Sequence, residues 1–179
     1  MSEVVLIIGP SGSGKSFLQK KLVSEGYFAI VSSTTRNPRD GEFSGVDYHF
    51  KEDREDFFLD EYIEHAQVGN EFYGTPVKEF YKAKKIAHVV EPYGAKQILD
   101  KFKESKDVTI KVVFMDISKN ICSKNLKGNK DSLSDKDLER LNRDVKDDIR
   151  DRLVETGIIP TLTIKALDYD IKTLLSRLS

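Results

Sequence analysis

The sequence predicts an α/β fold: a parallel sheet flanked by helices, with a small mixed sheet inserted between core strands. Three observations carry that expectation. Val4-Val5-Leu6-Ile7-Ile8 is a short, uninterrupted, mostly β-branched run, as a strand buried on both faces requires. A glycine-rich octet follows at once, and then a helical pattern in which Leu18 and Leu22 stand one turn apart and Gly26 acts as a stop. Runs of the same buried kind return at Ile86-Ala87-His88-Val89-Val90 and at 108–115, while residues 32 to 85 alternate and turn like a smaller sheet.

Composition bounds the possibilities. A chain of 179 residues with 39% hydrophobic residues is long enough to bury a substantial core, and one compact unit is expected. Twenty-nine basic against 30 acidic residues leave a formal net charge of −1, so no overall field draws the molecule onto nucleic acid or an anionic membrane. The single cysteine, Cys122, cannot form an internal disulfide and has no Cys or His at ligand spacing. With no charged-then-apolar leader and no long apolar span, a reducing cytoplasm is the expected home, and a monomer or homodimer the expected assembly.

The octet is Gly9-Pro10-Ser11-Gly12-Ser13-Gly14-Lys15-Ser16, a full match to G-x-x-x-x-G-K-[ST] between a strand and a helix. Its glycines allow a tight turn and close approach to an anion, and the N–H groups that open the helix lack intrahelical partners. Those donors and the helix dipole suit phosphate oxygens. Lys15 would reach β- and γ-phosphates as a point charge, and the Ser16 hydroxyl would ligate a bridging Mg²⁺.

Taken in order, Tyr27-Phe28-Ala29-Ile30-Val31 reads as the second strand of a β-α-β unit. Residues 32–42 carry hydroxyls, two arginines, a Pro and a Gly, with nothing to bury. Gly45 to Phe50 alternates as a short strand, 52 to 61 reads as an acidic helix, and Tyr62 to Val68 alternates again before a turn at Gly69-Asn70. His49 and His65 fall in these alternating strands without ligand-spaced partners and are expected to be structural or solvent-facing. Glu91 stands at the carboxyl edge of a core strand, where open α/β sheets bind ligands, with a helix expected from Ala95 to about Lys103. Beyond the strand Val108 to Met115, residues 118–151 are densely charged. There Ser134-x-x-Asp137 resembles a capping box, and Leu138, Leu141, Val145 and Ile149 mark one stripe of a following helix that also presents Arg140, Arg143, Lys146 and Arg150. Thr161 to Ile164 reads as a last strand and Tyr169 to Leu178 as a last amphipathic helix.

Together these segments resemble the guanylate kinase family of nucleoside monophosphate kinases. The resemblance rests on the octet, on Ser32-Ser33-Thr34-Thr35-Arg36-Asn37-Pro38-Arg39-Asp40-Gly41-Glu42 with Gly45-Val46-Asp47-Tyr48-His49-Phe50, and on Ile63-Glu64-His65-Ala66 with Phe72-Tyr73-Gly74-Thr75-Pro76. It implies a P-loop parallel sheet flanked by helices, an inserted mixed-sheet subdomain that binds the acceptor, and a helical lid. The core would comprise 1–31, 86–120 and 156–179, the acceptor subdomain 32–85 and the lid 121–155 of one domain, 1–179. By position, Arg36, Arg39, Tyr48 and Tyr73 resemble the group that holds the acceptor's phosphate, and guanidinium forks and phenol hydroxyls suit that task. Ser32, Glu64 and Thr75, with Gly74 beside them, resemble the guanine readers, since a carboxylate accepts from two guanine donors that adenine lacks.

The implied activity is transfer of the γ-phosphoryl group of ATP to GMP or dGMP, with Mg²⁺ as cofactor. Lys15, Arg36, Arg39 and Arg140 would be catalytic, Gly9, Ser11, Gly12, Ser13, Gly14, Lys15 and Ser16 ATP-binding, and Ser16 and Glu91 metal-binding. The second half departs from the family pattern. Val89-Val90-Glu91-Pro92-Tyr93-Gly94 stands where the family has Asp-x-Asp-x-Gln-Gly, and Asn125 and Asn129, flanked by Lys124, Lys127 and Lys130, stand where its lid carries arginines. A slow enzyme is therefore expected. Two other readings stay open: a non-catalytic phosphopeptide-binding module, disfavoured by the intact P-loop, and a related kinase with a different or broader acceptor.

Overall fold

The computed structural model describes residues 1–52, 55, 57, 61–128, 133–146 and 148–178; for Val68, Lys136, Arg140 and 143–146 only the backbone is described. A five-stranded parallel sheet has the order β2-β7-β1-β8-β9, formed by β1 (Ser2–Ile8), β2 (Phe28–Ala29), β7 (Lys85–Val89), β8 (Val108–Met115) and β9 (Leu162–Ile164). Between β2 and β7 the chain builds a four-stranded mixed sheet, β4-β3-β6-β5, from β3 (Ser33–Thr34), β4 (His49–Phe50), β5 (Tyr62–Val68) and β6 (Glu71–Pro76). A short 3-10 segment, Val77–Tyr81, leads back to the core.

Strand β1 divides the interior in two. Alternate side chains of a strand point to opposite faces. Val4, Leu6 and Ile8 accordingly pack with Ala95, Ile98, Ile149 and Leu153, which belong to α2 (Pro92–Phe102) and α5 (Ile149–Thr156). Val5 and Ile7 pack on the other side with Leu18, Leu22, Cys122, Leu141, Leu174 and Leu178, from α1 (Lys15–Ser24), α3 (Lys119–Lys127), α4 (Asp135–Lys146) and α6 (Ile171–Leu178). Buried on both faces, β1 has the all-apolar sequence this position demands. Cys122 is a packed core residue whose thiol donates to the Ile117 carbonyl.

Several elements differ from their sequence patterns. The second strand is reduced to Phe28–Ala29, at the sheet's edge, although Ile30 N still donates to Ala87 O. The alternation of 45–50 yields only His49–Phe50 as strand, and the last helix begins at Ile171 rather than Tyr169. Helix α2 starts at Pro92, not Ala95, because proline is suited to a helix's first position. The acidic helix expected over 52–61 falls largely outside the described residues. The stripe through Leu138, Leu141, Val145 and Ile149 does not belong to one helix. Asp148 caps a new one, its carboxylate accepting from Arg150 N at 2.8 Å, so Leu141 and Ile149 enter opposite cores while Leu138 remains 44% exposed. Ser134 does cap α4, its hydroxyl accepting from Asp137 N at 3.2 Å. Among the described residues no helix is long and apolar enough to cross a membrane.

Candidate active site

Because the core strands are parallel, their carboxyl ends share one edge. Ile7 lies opposite Val89 and Val113, which places the turn after β1, Glu91 after β7 and Asp116 after β8 along it. The inserted sheet also leaves the core there, after β2. In open α/β sheets such an edge is where ligands sit.

The turn after β1 is the glycine-rich octet. Gly12 has φ 77°, and a Cβ at that position would run into the Cys122 carbonyl, so only glycine lets the loop pass under α3. Gly14 ends the loop as the residue preceding α1. Lys15 folds back, its Nζ donating to the carbonyls of Gly9 at 2.6 Å and Pro10 at 2.9 Å. The Ser13 hydroxyl is fully buried and lacks a hydrogen-bond partner, while Ser11 occupies the turn. Gly12, Ser13, Gly14, Lys15, Ser16 and Phe17 line an open cleft of about 440 Å³ with Asn125, Leu126 and Leu167. An orphaned buried hydroxyl and a loop open to the first turn of a helix fit a phosphate chain.

Asn125 Nδ2 donates to Gly12 O at 2.8 Å, tying α3 to the loop. Asn129 and Lys130 lie outside the described residues, as does the side chain of Arg140, whose backbone belongs to α4. Lys124 and Lys127 are exposed on α3. Among the described residues no group of three or more His, Cys, Asp or Glu could hold a metal. Mg²⁺ arriving with a nucleotide needs only one or two protein oxygens besides phosphate and water, and the Ser16 hydroxyl at the cleft is such an oxygen. Glu91 is otherwise engaged: its Oε2 accepts from Arg152 Nη1 at 2.8 Å.

The second sheet gathers the remaining candidates into two groups. In the first, Arg36 bonds Glu42 at 2.9 Å and lies with its guanidinium carbon 5.3 Å from the Tyr48 ring centre and 5.8 Å from that of Phe50. Tyr73 meets Tyr48 edge-on at 6.0 Å. Arg39 N donates to Glu42 Oε2 at 2.8 Å, which brings the second arginine to the same carboxylate. Burial, and then Tyr73, push the Tyr48 phenol above its ordinary pKa, keeping its proton as a donor.

In the second group, Glu64 is 5% exposed on β5, opposite Thr75 of β6. The Thr75 hydroxyl donates to Glu64 Oε1 at 2.5 Å, and Ser32 Oγ lies 3.3 Å from Thr75 Oγ1. Gly74, beside them, pairs with Ser33 and His65 across the sheet. Helix α2 comes close enough that a Cβ on Gly94 would stand 2.6 Å from Glu64 Oε2. Gln97 of the same helix bonds both the N–H and the carbonyl of His65, at 3.1 and 2.9 Å.

One residue of this group was not among those singled out from the sequence. His88 of β7 is 1% exposed, and its Nε2 lies 3.0 Å from Thr75 Oγ1. Its signal was an imidazole inside an otherwise apolar run, where burial requires a polar partner.

A parallel sheet with a glycine-rich turn at its carboxyl edge, and a second sheet flanked by paired arginines and tyrosines and holding a buried carboxylate, defines a P-loop α/β protein. The chain belongs to the guanylate kinase family, whose model, described as "Guanylate kinase", matches residues 1–151. It is similar to the guanylate kinase of Clostridium perfringens, at 37% identity over 107 residues, 55% of this chain and 50% of that one. With the guanylate kinase of Campylobacter jejuni it shares 48% over 87 residues, 45% and 42% of the respective chains, and with that of Mycoplasmopsis pulmonis 37% over 123 residues, 63% of each. The chain thus matches about half the length of these curated relatives. A crystal structure of guanylate kinase from Anaplasma phagocytophilum superimposes with a TM-score of 0.59 at 25% identity, covering 99% of this chain and 82% of that one.

Proposed function

We propose that this chain transfers the γ-phosphoryl group of ATP to GMP or dGMP, giving ADP and the nucleoside diphosphate. The observation that carries this reading is the buried Glu64 carboxylate, held by the Thr75 hydroxyl with Ser32 beside it, on the sheet whose β3–β4 connection and β6 supply the Arg36, Arg39, Tyr48 and Tyr73 group. A carboxylate accepts from the ring N–H and exocyclic amine of guanine, and guanidinium forks with neutral phenols grip a phosphate. On this reading residues 32–85 form the acceptor-binding subdomain, 121–155 the lid, and the remainder the core.

An acceptor phosphate oxygen attacks the γ-phosphorus as the bond to the β-phosphate oxygen breaks, and no covalent enzyme intermediate is required. Catalysis is then positioning and charge neutralisation. Lys15 exchanges its loop carbonyls for phosphate oxygens, the P-loop N–H groups cradle the donor, and Arg36 and Arg39 orient the attacking phosphate. Arg140 serves the transferring group from the lid. The Ser16 hydroxyl would hold Mg²⁺, which would supply charge neutralisation on the donor phosphates; Glu91 could serve as a second ligand only if Arg152 released its carboxylate. The family generally pairs Mg²⁺ with ATP.

The test is ADP release coupled to a readout, with a panel of nucleoside monophosphates as acceptors. GMP or dGMP is expected to be preferred, and Glu64→Ala to narrow that preference by leaving guanine donors unpaired, at a cost of about 1–3 kcal/mol. Turnover with another monophosphate in preference to both would replace the acceptor. No turnover at all, with binding of a phosphorylated peptide, would replace the reaction.

A further inference from the structure

We infer that His88 is a positioning residue for base recognition: its Nε2–H fixes the Thr75 hydroxyl against Glu64, so that a core strand sets the geometry of a reader carried by the inserted sheet. The inference rests on the reading of Glu64 and Thr75 as guanine contacts.

The direction of each hydrogen follows from counting donors. Thr75 has one hydroxyl hydrogen, and it goes to Glu64 Oε1, an oxygen that only accepts. Thr75 Oγ1 must therefore accept from His88 Nε2, 3.0 Å away, which places the imidazole proton on Nε2. Its other lone pair faces Ser32 Oγ at 3.3 Å. Hydrogens run one way, from His88 and Ser32 into Thr75 and from Thr75 into Glu64. His88 Nε2 is 3.9 Å from Glu64 Oε1, beyond hydrogen-bond length, so its action on the carboxylate passes through Thr75.

The imidazole is itself held. It is 1% exposed, and Phe80 meets it edge-on with ring centres 6.1 Å apart at 86°. It also spans the two layers, since β7 belongs to the five-stranded sheet while Thr75 and Glu64 belong to the four-stranded one. Without the imidazole donor, the Thr75 hydroxyl can turn toward Ser32, and Glu64 loses the contact that sets its orientation.

Steady-state kinetics of His88→Leu and His88→Gln test this, the first removing the donor at similar volume and the second retaining an N–H at comparable reach. His88→Leu is expected to raise the KM for GMP about tenfold, the size of one buried hydrogen bond. It should leave kcat and the KM for ATP unchanged and narrow the preference for GMP over AMP, and His88→Gln should restore most of the loss. If the unsubstituted protein turns over GMP and His88→Leu keeps its KM and preference, the inference is wrong while the proposed reaction stands. If the unsubstituted protein does not use GMP, the reading beneath it fails. Loss of kcat and both KM values together, unrestored by Gln, would assign His88 to folding alone. Should His88→Leu not fold, ¹⁵N NMR of the unsubstituted protein decides: a proton on Nε2, with the resonance moving on GMP addition, supports the role, and a proton on Nδ1 alone overturns it.

Discussion

Arg36 Nη2 lies 2.9 Å from Glu42 Oε2, and the contact orients the arginine without exhausting it. Nη1 donates to Asn37 O at 2.6 Å, while Nε is buried without a hydrogen-bond partner. Burial alone would lower the guanidinium's pKa, but the hydrogen bond and charge of Glu42 outweigh it and hold the pKa above its ordinary value. The fork is thus fixed, beside the Tyr48 ring, before any phosphate arrives. Lysine keeps the charge and loses the fork, so Arg36→Lys is expected to raise the KM for GMP about tenfold or more. Initial rates at varied GMP measure this; an unchanged KM would remove Arg36 from the acceptor site.

Lys15 Nζ donates to its own loop, to Gly9 O and Pro10 O. Its charge matters when phosphate charge develops. Lys15→Met should lower kcat by about 10²–10³ or more, the scale of losing a key electrostatic group. The melting temperature should barely move, since the side chain is not part of either core. Near-normal activity in this variant would sink the P-loop assignment.

Gly94 is expected to tolerate no side chain. A methyl there stands 2.6 Å from Glu64 Oε2 and 2.9 Å from Val90 Cγ2, so either the carboxylate or α2 must move. Overpacking of this kind costs about 1–3 kcal/mol. Gly94→Ala should therefore lower stability in urea titration and raise the KM for GMP, with the KM for ATP unchanged. A stable variant with unaltered GMP kinetics would show that Glu64 does not contact the acceptor in the pose proposed.

Residues 121–155, the proposed lid, are where the sequence departs most from the family's pattern. Asn125 bonds Gly12 O, and an amide there can hydrogen-bond to phosphate but cannot neutralise it. Arg140→Ala is expected to lower kcat by about 10³-fold at unchanged GMP affinity, the worth of an arginine acting on the transition state. Asn125→Arg should raise kcat. Kinetics of both variants, beside calorimetric GMP titrations, measure these effects. Silence of Arg140→Ala and of lysine-to-alanine changes at 124, 127 and 130 would show that the segment is not a catalytic lid.

The core strands and the octet were legible because their signals are local: an apolar run, a motif, a helix. Features set by what happens at a distance were not. The spacing of Leu138, Leu141, Val145 and Ile149 is helical throughout, and only the Asp148 cap, a single polar residue before Ile149, marks the break that sends the chain to the other face. His88 was absorbed into a run of β-branched and small residues, since nothing near it in sequence announces that Thr75 will be its partner. The pairing of Glu91 with Arg152 joins residues 61 positions apart and was equally invisible.

Strand β1 serves two interiors with a single backbone, and this compartmentalises damage. Shortening Leu6 opens a void beside α2, the helix that touches Glu64, whereas shortening Ile7 opens one beside α1, the helix that begins at Lys15. Side chains adjacent in the chain therefore answer to different ends of the molecule's chemistry. Void-forming changes at the two positions should impair the handling of different substrates, although they remove similar volumes from the same strand.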